Sequence, residues 1–143
     1  MGRILVVDDD ASIRDLLTTA LEVEGHEVVA LPDGSAVVAQ AADWRPHVII
    51  LDVMMPGRDG FEVLDDLKAE ARTKDVPVVM LTALEGADGE ERGMAAGAAY
   101  YVHKPFHLDL FVATVEMCML DDDTGGPTEN ADITLIRDQL GDL

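Results

Sequence analysis

Three aspartates stand directly behind short hydrophobic runs in this chain of 143 residues. Asp8 and Asp9 follow the run at residues 4–7, and Asp52 follows the run at residues 48–51. Four consecutive aliphatic residues predict a strand that is buried on both faces of a sheet. A carboxylate just behind such a strand lies at the carboxyl edge of the sheet, where open α/β folds bind their ligands. Three carboxylates gathered there would repel one another, and hard oxygen ligands of this kind favour Mg²⁺.

Two further polar residues follow predicted strands in the same way. Thr82 comes after the apolar run at residues 78–81, and Lys104 comes after a short strand at residues 99–103. A hydroxyl at this edge can bond a phosphoryl oxygen, and an ammonium group can neutralise a phosphoryl group or pair with the carboxylates. Because the carboxyl ends of parallel strands share one edge, these two residues and the three aspartates form a geometrically coherent cluster.

Each of these residues also has a plainer interpretation. Asp52 could do no more than form hydrogen bonds with the loop that follows it. The Pro- and Gly-containing loop at residues 54–60 argues against this, because it favours a defined turn that can direct backbone groups toward the site. The first acidic pair could belong to a helix N-terminus, a role that suits Asp10 better. Thr82 could bond its own local backbone, and Lys104 could be a surface lysine.

The elements that must position these residues alternate between strands and helices. Strands are predicted at residues 4–7, 27–31, 48–51, 77–81 and 99–103. A helix capped by Asp10 or Ser12 follows the first strand and ends near Gly25, and others are predicted at 35–43, 61–72, 87–96 and from Leu108 onward. Gly93 lies inside the fourth helix, which predicts that this helix is easily remodelled. The pattern indicates an α/β fold: a doubly wound, five-stranded parallel sheet with helices on both faces.

Composition narrows the class of protein. The formal net charge is −19, which argues against non-specific binding to DNA or to anionic membranes. The chain has one cysteine, so no disulfide can form within it. No run of about 18 apolar residues and no signal peptide is visible, so we predict a cytoplasmic protein. The histidines lack the spacing of a Zn²⁺ site, and we interpret all four as surface or loop residues: His26, His47, His103 and His107.

Several short segments together resemble the receiver domain of two-component response regulators. They are Ile-Leu-Val-Val-Asp-Asp-Asp at 4–10, Ile-Leu-Asp-Val-Met-Met-Pro-Gly at 50–57, Asp-Gly-Phe-Glu-Val-Leu at 59–64, Leu-Thr-Ala at 81–83 and Lys-Pro-Phe at 104–106. Their order and spacing make the likeness specific, and it covers about residues 3–119. The resemblance implies the flavodoxin-like receiver fold, with a receiver domain at residues 1–119.

The resemblance also implies a chemistry for the acidic cluster. Asp52 would be the phosphoacceptor, taking a phosphoryl group from the phosphohistidine of a sensor histidine kinase or a phosphotransfer protein. Asp8 and Asp9 would hold Mg²⁺ together with Asp52 and the backbone carbonyl of Met54. Such a domain promotes only its own phosphorylation and dephosphorylation, so the class implied is a signalling module rather than an enzyme.

A switch is implied as well. Lys104 would contact the phosphoryl group, Thr82 would be the switch hydroxyl, and Tyr101 would be the switch aromatic that moves inward as the threonine approaches the phosphate. The surface formed by the fourth helix, fifth strand and fifth helix would then engage an output domain or a partner protein. The sequence leaves open whether phosphorylation drives a homodimer through that surface.

Two other functions remain as alternatives. A Mg²⁺-dependent phosphatase can also use a strand-end aspartate as its nucleophile, but such enzymes usually carry a second acid two residues later, where this chain has Met54. A receiver-like interaction module that no longer accepts phosphate is the other alternative, and the complete set of site residues argues against it.

Residues 120–143 differ in character from the rest of the chain. They are acidic and begin with a turn-rich linker, and Ile133, Ile136 and Leu140 have the spacing of a short amphipathic helix. Such a helix would need to dock on another surface to be stable. Nothing basic or domain-sized follows residue 120, which predicts either a stand-alone receiver or a piece of a longer regulator cut at its linker. The segment from Ile133 to Leu140, with its spacing of a docking helix, favours the stand-alone receiver.

Overall fold

The computed structural model describes residues 2–83 and 87–120. Its strands are β1 (Arg3–Val7), β2 (Glu27–Leu31), β3 (Val48–Leu51), β4 (Val78–Thr82) and β5 (Tyr100–His103). Its helices are α1 (Ala11–Val23), α2 (Val37–Trp44), α3 (Gly60–Ala69), α4 (Ala87–Ala95) and α5 (Leu108–Leu120). All strand pairs are parallel, in the order β2-β1-β3-β4-β5. The predicted doubly wound fold is confirmed, whereas the predicted C-terminal helix lies outside the described residues.

The two faces of the sheet bury separate cores because strand side chains alternate in direction. Leu5 and Val7 of β1 point into a core shared with α2 and α3, while Ile4 and Val6 point into a core shared with α1 and α5. The central strands β1 and β3 are buried almost throughout, as their continuous aliphatic runs predict, and the more polar β2 lies at an edge. Both layers hold the strand ends in fixed positions.

Two helices differ from their predicted bounds for local reasons. Helix α2 begins at Val37 rather than at residue 35, because the backbone N–H and hydroxyl of Ser35 both donate to the Asp33 carboxylate, at 2.9 and 2.6 Å, and hold a turn. Helix α3 ends at Ala69 rather than at residue 72. There the Thr73 hydroxyl donates to the Leu67 carbonyl at 2.6 Å and so binds a carbonyl in the last turn of the helix.

The interpretation of all four histidines as surface or loop residues is confirmed, and two of them, in the loops before β2 and β3, also make specific contacts. The Gly2 N–H donates to Nδ1 of His26 at 3.0 Å, and Nε2 of that ring lies 2.9 Å from Glu116 on α5. The Arg3 N–H donates to Nδ1 of His47 at 2.9 Å. The His26 side chain is only 7% exposed. These contacts join the start of β1 to the starts of β2 and β3, and we call the group formed by Gly2, Arg3, His26, His47 and Glu116 the amino-edge network.

Candidate functional site

The ends of β1 and β3 bring the first carboxylates together. Val7 and Leu51 are paired in the register of these strands, so Asp8 and Asp52 follow at the same level. The Asp52 N–H donates to the Val7 carbonyl at 2.9 Å and extends the ladder by one bond. The two side chains therefore leave neighbouring strands at one point of the carboxyl edge, as the sequence predicts.

Asp9 completes the acidic group. One carboxylate oxygen from each of Asp8, Asp9 and Asp52 lies within 4.8 Å of the others, and within the described residues this is the one group of side chains suited to a metal ion. Asp8 and Asp52 are 2% and 3% exposed, whereas Asp9 is open to solvent. Three carboxylate oxygens at this spacing form a donor set that fits a hard divalent cation such as Mg²⁺. The Met54 N–H donates to Oδ1 of Asp52 at 3.2 Å, so the backbone of that loop adjoins the group.

Lys104 contributes the positive charge of the site. Its Nζ donates to Oδ2 of Asp8 at 2.9 Å and lies 3.7 Å from Oδ2 of Asp52. The Lys104 N–H donates to the Thr82 carbonyl at 2.8 Å, which fixes the start of the β5–α5 loop against the end of β4. The Lys104–Pro105 peptide bond is cis. One ammonium group thus serves two buried carboxylates.

The surroundings of Asp52 disfavour its ionised form. Burial and then the charge of Asp8 raise the pKa of Asp52 from 3.8 to about 7, although Lys104 and the Met54 N–H act in the opposite direction. Removing a carboxylate from water costs free energy unless opposite charge or hydrogen bonds compensate it. The cluster therefore carries more negative charge than one lysine neutralises, and it is suited to take up further positive charge.

The two predicted switch residues occupy neighbouring strands. Thr82 ends β4 and is completely buried, and it is paired in register with His103 at the end of β5. Tyr101 lies on β5 with its ring turned inward and 2% exposed. Burial, followed by the charges of Glu90 and Asp52, raises the pKa of the Tyr101 hydroxyl. The structure thus places the hydroxyl of Thr82 at the carboxyl edge and Tyr101 two residues before the end of the adjacent strand.

Sequence reasoning missed two residues that shape the site. The Arg14 guanidinium donates to the Asp8 carbonyl at 2.8 Å and fastens α1 to the end of β1. Gly60 begins α3 so close to β3 that a Cβ there would lie 2.3 Å from the Asp52 carbonyl oxygen. The signal for Gly60 is its position directly behind Asp59, the residue that caps α3 through its contact with the Glu62 N–H. Asp10 caps α1, as one of the two predicted alternatives stated.

Comparison with known proteins identifies the class. Residues 4–116 match the response regulator receiver domain family, so the chain belongs to this family of two-component signalling domains. It is 42% identical over 115 residues to the DNA-binding dual master transcriptional regulator RpaA of a Synechocystis species, which covers 80% of this chain and 48% of that protein. It is 46% identical over 115 residues to the response regulator PleD of Caulobacter vibrioides, which covers 80% of this chain and 25% of that protein.

A solved structure supports the same assignment. The chemotaxis protein CheY4 of Vibrio cholerae superposes with a TM-score of 0.77 at 34% identity, covering 82% of this chain and 98% of that one. Receivers form a signalling class rather than an enzyme class, so the phosphatase alternative is set aside. The chain spans half or less of the length of the two curated relatives named above. In the part of the chain that the structure describes, no helix is long and apolar enough to cross a membrane.

Proposed function

We propose that this receiver is phosphorylated on Asp52 by the phosphohistidine of a sensor histidine kinase or a phosphotransfer protein. The observation that carries the proposal is the group of three carboxylate oxygens within 4.8 Å, with Lys104 as its nearby ammonium group. In the reaction, an oxygen of the Asp52 carboxylate forms a bond to phosphorus while the phosphorus–nitrogen bond of the donor breaks. The electron pair of that bond stays on the histidine nitrogen, and an aspartyl phosphate results.

Asp52 is better suited to be the nucleophile than Asp8. Both oxygens of Asp8 are engaged at 2.9 Å, one by the Asp10 N–H and the other by Lys104. The contacts of Asp52 to the Met54 N–H and to Lys104 are longer, at 3.2 and 3.7 Å. Weaker hydrogen bonding leaves more of the electron density of the carboxylate available for attack.

The remaining residues of the site would hold the metal and the transferred group. Asp8, Asp9 and Asp52 would bind Mg²⁺ together with the backbone carbonyl of Met54. When bound, Mg²⁺ would supply positive charge beside the phosphoryl oxygens. Lys104 would exchange part of its contact with Asp8 for a phosphoryl oxygen, because phosphoryl transfer depends mainly on positioning and on neutralising charge.

A conformational response would follow phosphorylation. The hydroxyl of Thr82 would move toward the phosphoryl group, and the ring of Tyr101 would be held inward beside it. The surface of α4, β5 and α5 would change with them and engage an output domain or a partner protein. The exposed Met94 of α4 lies on this surface. A phosphorylation-dependent homodimer through it is one form that this engagement could take.

The organisation of the chain forms part of the proposal. We assign the receiver to residues 1–119 and an acidic linker and tail to residues 120–143, where the net negative charge disfavours direct binding to nucleic acid. A kinase that carries phosphohistidine makes it from ATP, so the proposed reaction belongs to the cytoplasm.

The test is intact mass spectrometry after incubation with acetyl phosphate and Mg²⁺. We expect the wild type to gain one phosphoryl group, and we expect chelation of the metal with EDTA to prevent the gain. Asp52→Asn should gain nothing, whereas Asp43→Asn, which changes an exposed acid on α2, should behave as the wild type. An equal mass gain in Asp52→Asn, or none in the wild type, would overturn the proposal.

A further inference from the structure

Gly93 occupies the interior of α4, where glycine is less favourable than alanine. The residue is buried, and it faces β5 and β4 rather than solvent. Its φ angle lies outside the left-handed region, so backbone conformation does not require glycine here. The reason for glycine must therefore lie in what its missing side chain would touch.

The missing side chain would meet the ring of Tyr101. A Cβ built at residue 93 would lie 2.9 Å from Cδ2 and 3.2 Å from Cε2 of Tyr101, and 3.1 Å from the sulfur of Met80. Contacts this short are repulsive, because carbon atoms pack at about 3.5–4.0 Å. An alanine at residue 93 and the tyrosine ring in its present position cannot both be accommodated without a shift.

The inward position of Tyr101 is itself held by opposing forces. The ring is 2% exposed and packs edge-on against His103 with the ring centroids 5.3 Å apart. Its hydroxyl has no hydrogen-bond partner in the described part of the chain. A buried hydroxyl without a partner is costly. Packing of the ring therefore favours the inward position and the unpaired hydroxyl disfavours it, so a small change at either place can shift the balance.

We propose that Gly93 is a positioning residue that admits Tyr101 to its inward position and thereby sets how readily this receiver adopts its phosphorylated form. The inference rests on the proposed function, because it takes the inward ring to accompany phosphorylation of Asp52. Two single substitutions then act in opposite directions. Gly93→Ala removes the space for the ring, whereas Tyr101→Phe removes the hydroxyl that opposes burial and keeps the ring.

The position of the ring can be observed directly because the chain has two tyrosines, Tyr100 and Tyr101. Protein made with fluorotyrosine should show fluorine resonances from these two residues, and Tyr101→Phe assigns them by removing one. We expect Gly93→Ala to move the Tyr101 resonance toward the position of a solvent-exposed ring and to leave that of Tyr100 nearly unchanged. An unmoved Tyr101 resonance would overturn the proposal.

The rate of labelling by acetyl phosphate reports the effect on the reaction. We expect Gly93→Ala to label at least about threefold more slowly than the wild type, which is the consequence of a modest shift between two states. Tyr101→Phe should label at least as fast as the wild type. In a Tyr101→Val background, which lacks the ring but suits a strand, Gly93→Ala should not change the rate further.

These results separate three outcomes. An equal slowing by Gly93→Ala with and without the ring would mean that it disturbs α4 generally, and the proposal would fail. A Tyr101→Phe variant as slow as Gly93→Ala would also contradict it, since the two should act in opposite directions. If the wild type does not label at all while the fluorine spectra respond as expected, the proposed function fails and the packing of Gly93 against Tyr101 stands.

Discussion

The carboxyl edge of the sheet gathers Asp8 and Asp52 in a buried cluster with one lysine, whereas the amino-edge network pairs each of its two partly buried histidine rings with a neighbouring backbone group. At the amino edge His26 and His47 accept backbone N–H groups, and His26 also contacts Glu116. At the carboxyl edge the pKa of Asp52 rises to about 7 because burial and the charge of Asp8 outweigh the opposing effects of Lys104 and the Met54 N–H. Satisfied polar groups stabilise a fold, while buried charges in excess reduce its stability. The difference shows where this chain gives up stability to keep a reactive site.

A substitution in the acidic cluster should have the largest effect on the reaction. Asp8→Asn removes one ligand of the proposed metal site, and we expect labelling by acetyl phosphate with Mg²⁺ to fall about 100-fold, since the metal contributes several kcal/mol of charge stabilisation. The rate of mass gain measures this. Glu116→Gln makes a change of the same kind at the amino edge, and this variant should label at the rate of the wild type. A comparable fall in its labelling rate would mean that the two edges do not differ in function.

Among the effects on stability, removal of Lys104 should have the largest. Lys104→Met leaves Asp8 and Asp52 without their ammonium partner, and we expect the free energy of unfolding without metal to fall by about 2 kcal/mol. Urea denaturation in EDTA measures the loss, and Mg²⁺ should recover much of it. Lys74→Met changes an exposed lysine and should be nearly neutral. No loss at Lys104 would mean that the cluster does not depend on that charge.

The amino edge should respond in stability alone. His26→Ala removes the acceptor for the Gly2 N–H and the contact with Glu116, and we expect a loss of about 1.5 kcal/mol in the free energy of unfolding. Thermal denaturation and the labelling assay, run on the same preparation, check both halves of this prediction. If the folded His26→Ala variant also labelled more slowly than the wild type, the amino edge would contribute to the reaction as well as to stability. That result would contradict the proposed division of roles between the two edges.

A reverse effect is expected at the proposed phosphoacceptor. Asp52→Asn removes one of three mutually repelling carboxylates, and we expect the domain without metal to gain about 1 kcal/mol. Saturating Mg²⁺ should abolish the gain, because the wild type then has the cation that compensates its charge. Denaturation with EDTA and with Mg²⁺ measures both values. A variant less stable than the wild type in EDTA would show that Asp52 is satisfied as it stands.

The carboxyl edge could be predicted from the sequence because its information is local. An aliphatic run followed by Asp8 or Asp52 fixes both the strand and the place where it ends, and a parallel sheet brings such ends to one edge. The amino-edge network could not be predicted in this way. Its hydrogen bonds join residues 24 and 44 positions apart, so they depend on the register between strands, which no local pattern contains.

The same distinction applies to helix positions. Helical periodicity predicted α4 with Gly93 inside it, but not that this residue faces the ring of Tyr101, because periodicity gives the face of a helix and not its neighbour. The end of α3 was predicted three residues late because the bond from the Thr73 hydroxyl to the Leu67 carbonyl is a tertiary detail of the turn.

The most direct test of the central claim is to locate the phosphoryl group. Borohydride reduces an aspartyl phosphate to homoserine, which peptide mass spectrometry can assign to one residue after treatment of the wild type with acetyl phosphate and Mg²⁺. We predict homoserine at position 52 and unchanged aspartate at positions 8 and 9. Homoserine at either of those two positions, or at none of the three, would contradict the assignment of Asp52 as the phosphoacceptor.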